Sequence, residues 1–215
     1  MSGGELPMRK LEIDTWERKE IFAFMSALSD PFYTVCFNVD VTSVYEYTHR
    51  KKLSFYYALI YLATQAINEV PAFLNDIKDG EVVVLDRRSP SFCDLREGSE
   101  AFYIVDMLME NDMDGFCRRA KEKSLAQTSF YPKDKPEDEA WIYFSCLPWI
   151  DLTCVTNERD FDPDDTVPRI SWGKYVPRDG RKKLNLSIEV NHRFIDGFHI
   201  GQFGQRLAEK IALLG

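Results

Sequence analysis

LNLSIEVNHRFIDGFHI, Leu184 to Ile200, decides how this chain folds. Leu184, Leu186, Ile188 and Val190 alternate with Asn185, Ser187, Glu189 and Asn191, the period of two that marks a strand with one apolar face. His192 shares the parity of the apolar set, so its imidazole faces the apolar side where the strand runs out. Asp196-Gly197 then makes a turn. Ile200, Phe203, Leu207 and Ile211 follow at three- and four-residue spacing, predicting a helix from about Phe198 to Leu213. An imidazole placed there is partly desolvated, which favours its neutral form and suits a general base. The helix N-terminus beside it is electropositive. The same features equally describe a histidine that only closes a strand, and spacing alone leaves both readings open. The chain has three histidines; His199 in the first helical turn reads as structural or exposed, and His49 in EYTHRKK as solvated.

Working outward, YTVCFNVDV places Tyr33, Val35, Phe37, Val39 and Val41 on one face of a second strand. Ser54 caps FYYALIYLATQAINEV, apolar nearly all round and hence a buried helix that stops at Pro71. Near the start, Asp14 with Glu17 has the spacing of a capping box, predicting a helix with Trp16, Phe22, Phe24 and Leu28 buried and an end at Asp30-Pro31. Further strands are expected at EVVVLD, AFYIVDMLM, WIYFSCLPWI, DLTCVTN and PRISWGKYV, and a helix near Asp112 to Leu125. PKDKPEDEA, Pro132 to Ala140, reads as a surface loop. The sum is a strand-rich α+β chain. Without a repeat or linker, residues 1–215 are expected to form one domain, with 1–9 a loose N-terminal segment.

Composition removes several classes. A formal charge of −8 argues against a nucleic-acid site, which needs a basic footprint. Five cysteines, Cys36, Cys93, Cys117, Cys146 and Cys154, contain no C-x-x-C pair and read as buried thiols of a reducing compartment, with no zinc site. The N-terminus lacks the apolar core of a signal peptide and no run approaches a membrane span, so a cytoplasmic, membrane-free protein is expected.

His192, Asp196, Gly197, Phe198 and His199 resemble the end of the His-His-x-x-x-Asp-Gly signature of chloramphenicol acetyltransferases. NHRFIDG also resembles the Asp-His-Arg-x-x-Asp-Gly of dihydrolipoyl acyltransferase cores. IDTWERKEIF, SFYYALIY, IKDGEVVVLD and SCLPW resemble the first family in order and spacing, over nearly the whole chain. The resemblance implies a CoA-dependent acyltransferase fold: an α+β two-layer sandwich whose mixed, mostly antiparallel sheet is covered by helices. It implies acetyl transfer from acetyl-CoA to a hydroxyl of chloramphenicol or a related small molecule, without a metal. It further implies a homotrimer with active sites between subunits, and antibiotic resistance as the consequence of turnover.

Carried over by position, His192 is the general base, and Asp196 pairs with Arg18 to support the histidine loop. Ser145, and not Cys146, donates to the oxyanion; Ser171 stands where the family has a water-holding threonine. Tyr56, Trp149 and Tyr175 resemble the aromatic lining of the CoA path and Lys174 a lysine near the nucleotide phosphate, while Ser54 replaces another lysine. The acceptor positions depart from the pattern: Met25 for a tyrosine, Tyr33 for a phenylalanine, and Tyr103 and Ile104 for two small residues after Phe102, with Tyr131 matching a loop phenylalanine. Asn191 replaces the first motif histidine. Two other functions stand beside this one: the departures suggest a non-catalytic CoA-binding or trimeric assembly protein, and the NHR triplet suggests acyl transfer to another acceptor such as dihydrolipoamide.

Overall fold

The strand that begins the opening stretch runs from Arg181 to Asn191 in the computed structural model, which describes residues 8–96, 98–133 and 139–215. In chain order the elements are β1 (Met8–Lys10), α1 (Lys19–Ser26), β2 (Phe32–Asp40), α2 (Thr42–Lys51), α3 (Phe55–Asn68), β3 (Asn75–Lys78), β4 (Glu81–Leu85), β5 (Ser89–Leu95), β6 (Phe102–Asp106), α4 (Met113–Ala126), β7 (Trp141–Leu147), β8 (Arg169–Gly173), β9 (Val176–Arg178), β10 (Arg181–Asn191) and α5 (Gly197–Ala212). Single 3-10 turns lie at Ile13–Thr15 and Pro71–Leu74.

The main sheet has the order β2-β10-β8-β7-β5-β6, with β9 also on β10; β7 runs parallel to both β5 and β8, and the other pairs are antiparallel. A second sheet, β1-β4-β3, stands apart. Leu184, Leu186, Ile188 and Val190 are buried in one core with residues of α2, α3, α4 and α5, so the expected apolar face is the one the helices cover. The stripe Ile200, Phe203, Leu207 and Ile211 is buried against it. Fully burying each such side chain contributes about 1.5–3 kcal/mol, which is why the period of 3.6 survives in this helix whose other face is wet. Ser54 Oγ accepts from Tyr57 N to open α3, and the Asp112 carboxylate accepts from Asp114 N and Gly115 N to open α4. This is the two-layer, mostly antiparallel sandwich expected, and none of its described helices is long and apolar enough to cross a membrane.

Several local expectations are corrected. Asp14 caps nothing: α1 starts at Lys19 after a 3-10 turn, and Arg18 at its N-cap makes no side-chain cap bond. Trp16 and Phe22 pack on the core, whereas Phe24 and Leu28 are exposed. DLTCVTN is no strand, because both edges of β10 are already taken by β2 and β8; Val155 N and Asn157 N instead donate to the side chains of Ser187 and Glu189. PRISWGKYV breaks into β8 and β9. In the expected loose segment, Met8 and Arg9 pair with β4; residues 1–7, and residues 134–138 of the expected loop, lie outside the described residues. Of the five free thiols only Cys117 is buried; Cys154 is exposed.

Candidate active site

Three strands bring hydroxyls into one row. Ser145 of β7 stands in register with Ser171 of β8, and Ser171 with Ser187 of β10; residues paired across a sheet share a face, here the one opposite the helices. Ser171 Oγ donates to Asn157 Oδ1 at 3.0 Å, and Cys36 Sγ lies 3.1 Å from Ser187 Oγ. The segment after β7 thereby lies along the strands.

Ser145 opens into a cavity of about 950 Å³ that also takes in Tyr56, Phe102, Trp149, Lys174 and Tyr175. Tyr56 comes from the first turn of α3; its hydroxyl donates to Cys93 O at 2.6 Å, and its ring meets Phe92 edge-on at 5.9 Å and Trp172 at 5.6 Å. Burial pushes its pKa well above that of a free phenol, so it is a neutral wall. Gly173 is required here: an added Cβ would fall on Ile150 O and Leu152, where Lys174 N donates to Ile150 O at 2.7 Å. Burial pushes the Cys146 thiol up to about 12, which keeps it protonated and leaves Ser145 the hydrogen-bonding hydroxyl of SCLPW.

His192 lies elsewhere. It follows the last residue of β10, its N–H donates to Pro31 O at 2.7 Å, and its ring sits 4.3 Å from that of Tyr33, tilted by 38°. Arg18 Nη1 meets Asp196 Oδ2 at 2.6 Å, with both side chains largely buried. Asp196 is also the N-cap of α5: it accepts from Phe198 N at 3.0 Å, and Asp196 N donates back to His199 Nδ1 at 3.1 Å, closing a capping box. The same Nδ1 lies 3.0 Å from Asp196 Oδ1; burial, helped by Arg18, holds the His199 pKa below the usual value against the pull of Asp196. Burial likewise lowers the pKa of His192; the Asp196 charge opposes this and Arg18 adds to it. For Asp196 burial acts upward, but the Arg18 hydrogen bond, the neighbouring charges and the Phe198 N–H outweigh it and hold the carboxylate below its ordinary range. The result is a neutral imidazole near neutral pH on an ionised, anchored turn.

The expected residues therefore fall into two groups. Tyr56, Phe102, Ser145, Trp149, Lys174 and Tyr175 converge on the cavity, whereas His192, Tyr33, Asp196 and Arg18 gather beyond β10 and do not line it. Ser171 is buried behind Ser145. Tyr103 lies under the Arg96 guanidinium, 4.1 Å from its ring centroid; Tyr131 packs on Phe130, which packs on Phe102; Met25 and Ile104 are half-buried and line no part of the cavity. Ser54 is at the cavity wall. Sequence reading missed Cys93, Asp94, Glu100, Glu158 and Trp172 of the lining; β5, unrecognised in the sequence, supplies the first two, and no short pattern signals them. Asn191 is buried, its amide donating to Pro163 O and Asp165 O and accepting from Arg193 N, so it fastens the segment at 163–165 under the histidine turn. Among the described residues no group of three or more His, Cys, Asp or Glu is placed to hold a metal ion.

A sheet-and-helix sandwich with a hydroxyl beside an aromatic cavity and a desolvated His-x-x-x-Asp-Gly turn defines an acyltransferase. Residues 6–208 match the model of the chloramphenicol acetyltransferase family, and the chain belongs to that family, whose co-substrate is acetyl-CoA. It is 29% identical to chloramphenicol acetyltransferase 3 of Escherichia coli, over 93% of this chain and 95% of that one. A solved chloramphenicol acetyltransferase superposes with a TM-score of 0.86 at 24% identity, covering 95% of this chain and 100% of that one. The dihydrolipoamide acetyltransferase of Azotobacter vinelandii has the same fold at a TM-score of 0.68 and 18% identity, over 88% and 84%.

Proposed function

We propose that this chain is a cytoplasmic, acetyl-CoA-dependent O-acetyltransferase that acts on a hydroxyl of chloramphenicol or a related small molecule, with His192 as general base. The observation that carries the reading is the state of His192: desolvated, lowered in pKa and braced by Tyr33 next to the Arg18–Asp196 pair, in a chain of this family. The imidazole takes the proton of the acceptor hydroxyl as its oxygen attacks the thioester carbonyl; the tetrahedral oxyanion receives a hydrogen bond from Ser145, and as it collapses the C–S bond breaks and the imidazolium returns the proton to sulfur, so that CoA leaves as the thiol. Ser171, in register with Ser145 on the adjacent strand, takes the place of the family's water-holding threonine. Tyr56, Trp149, Lys174 and Tyr175 hold CoA; Met25, Phe102, Tyr103, Ile104 and Tyr131 surround the acceptor.

The separation of His192 from the cavity within one chain supports a homotrimer in which the histidine of one subunit faces the cavity of the next. Buried, unpartnered Arg18 Nε and Nη2 and the exposed Phe24, Trp149 and Phe198 support it as groups a neighbour would complete or cover. Asn191 favours no loss of function, since it replaces the motif histidine with hydrogen bonds of its own. Arg193, which suggested a dihydrolipoyl acceptor, is bound to Pro163 O and Asp164 and is engaged in the loop.

Thiol release from acetyl-CoA by the purified protein, with and without chloramphenicol, tests the proposal. Chloramphenicol-dependent release that disappears in His192→Ala is the expected result; equal release with and without chloramphenicol would move the acceptor to another hydroxyl compound, and full activity in the variant contradicts the role of His192.

A further inference from the structure

We infer that Tyr33 is a positioning residue for His192 and acts through the face of its ring; this rests on His192 being the base. Tyr33 stands on β2 opposite Val190, and the His192 N–H bond to Pro31 O continues the same ladder by one step, so the two side chains emerge together beyond the last rung of β10. With centroids 4.3 Å apart and planes 38° from parallel, the phenol ring covers one face of the imidazole. That contact restricts rotation of the base, a requirement for proton transfer along one line.

The hydroxyl does not hold the imidazole. It is buried and, among the described residues, has no hydrogen-bond partner. Burial first and the Asp196 charge second push its pKa up to about 12, while Arg18 acts the other way, so the phenol is neutral wherever the enzyme would work. What remains is the ring. Its electron-rich face lies against an imidazole that becomes a cation at the moment of acyl transfer. Burial disfavours that cation and Arg18 adds to the penalty; Asp196 and the Tyr33 ring oppose it. His199, the other titratable group at this turn, is tied to both the N–H and the carboxylate of Asp196, and burial lowers its pKa. A phenylalanine would offer the same face, whereas an aliphatic side chain of similar size would fill the space without it.

The test compares Tyr33→Phe, Tyr33→Leu and Tyr33→Met, reading the His192 midpoint from its ring-proton NMR titration, assigned with His192→Ala, beside kcat and the acceptor KM. Tyr33→Phe should keep the midpoint and hold kcat within about threefold. The Leu and Met variants should move the midpoint further down and lower kcat about tenfold, with the acceptor KM within about twofold of wild type. If either folded aliphatic variant leaves midpoint and kcat unchanged and raises only the acceptor KM, Tyr33 is a wall of the acceptor pocket and the inference is wrong. It is equally wrong if Tyr33→Phe behaves as the aliphatic variants do. Full activity in His192→Ala would instead overturn the reading of the base, whatever the midpoint does in the Tyr33 series.

Discussion

At the cavity, Tyr56, Ser145, Trp149, Lys174 and Tyr175 arrive from α3, β7 and the segments that follow β7 and β8, and aromatic rings form a large part of the wall. Beyond β10 the materials are different: an imidazole against a phenol, a largely buried Arg18–Asp196 pair, and a second histidine that serves only to cap a helix. One region is an open cavity of about 950 Å³. The other fixes the orientation and protonation of a single side chain. The two regions are separate on one chain: the cavity lining does not include His192.

The contrast makes His192→Ala the variant of largest effect. It should lower acetyl transfer by roughly 10²–10⁴-fold, while calorimetry finds CoA affinity unchanged, because the cavity does not include His192. Ser145→Ala should cost roughly 10²–10³-fold in kcat, the usual loss of an oxyanion donor, with little change in KM. A loss confined to KM would move Ser145 from chemistry to binding.

pH separates the regions further. Because burial lowers the His192 pKa, transfer should be flat through neutrality and fall only on the acid side, with a midpoint below the usual 6.5. A midpoint above 6.5 would mean that Asp196 dominates its environment. The smallest expected effect concerns stability. Asp196→Ala removes an N-cap and a charge-assisted bond, and should cost about 2 kcal/mol by urea unfolding at neutral pH. With its folded pKa held down, Asp196 stabilises the fold above the ordinary carboxylate range, and the contribution is lost as pH falls through the folded value. The variant should therefore lose less stability on acidification than the wild type does.

The histidine region was the more legible in sequence because its determinants are local: strand parity placed His192, helical spacing placed α5, and the motif carried Asp196. Its Arg18 partner needed the family resemblance, since 178 positions separate the two. The cavity was legible only through that resemblance; parity at Ser145 does not reveal that β8 lies alongside β7, and the Asn157 bond to Ser171 joins a loop to a strand. Two local signals misled. Asp14 and Glu17 had capping-box spacing, but the chain makes a 3-10 turn there. DLTCVTN had strand-like alternation, but β10, whose side chains it meets, is already paired on both edges.

Mixing separately impaired His192→Ala and Ser145→Ala chains in equal amounts, under conditions that exchange subunits, tests most directly whether the histidine of one copy serves the cavity of another. Random assembly should restore about a quarter of the wild-type rate, since one combination in four joins an intact histidine to an intact cavity across an interface. No recovery, with exchange verified by mass spectrometry of the assembly, would contradict the shared site.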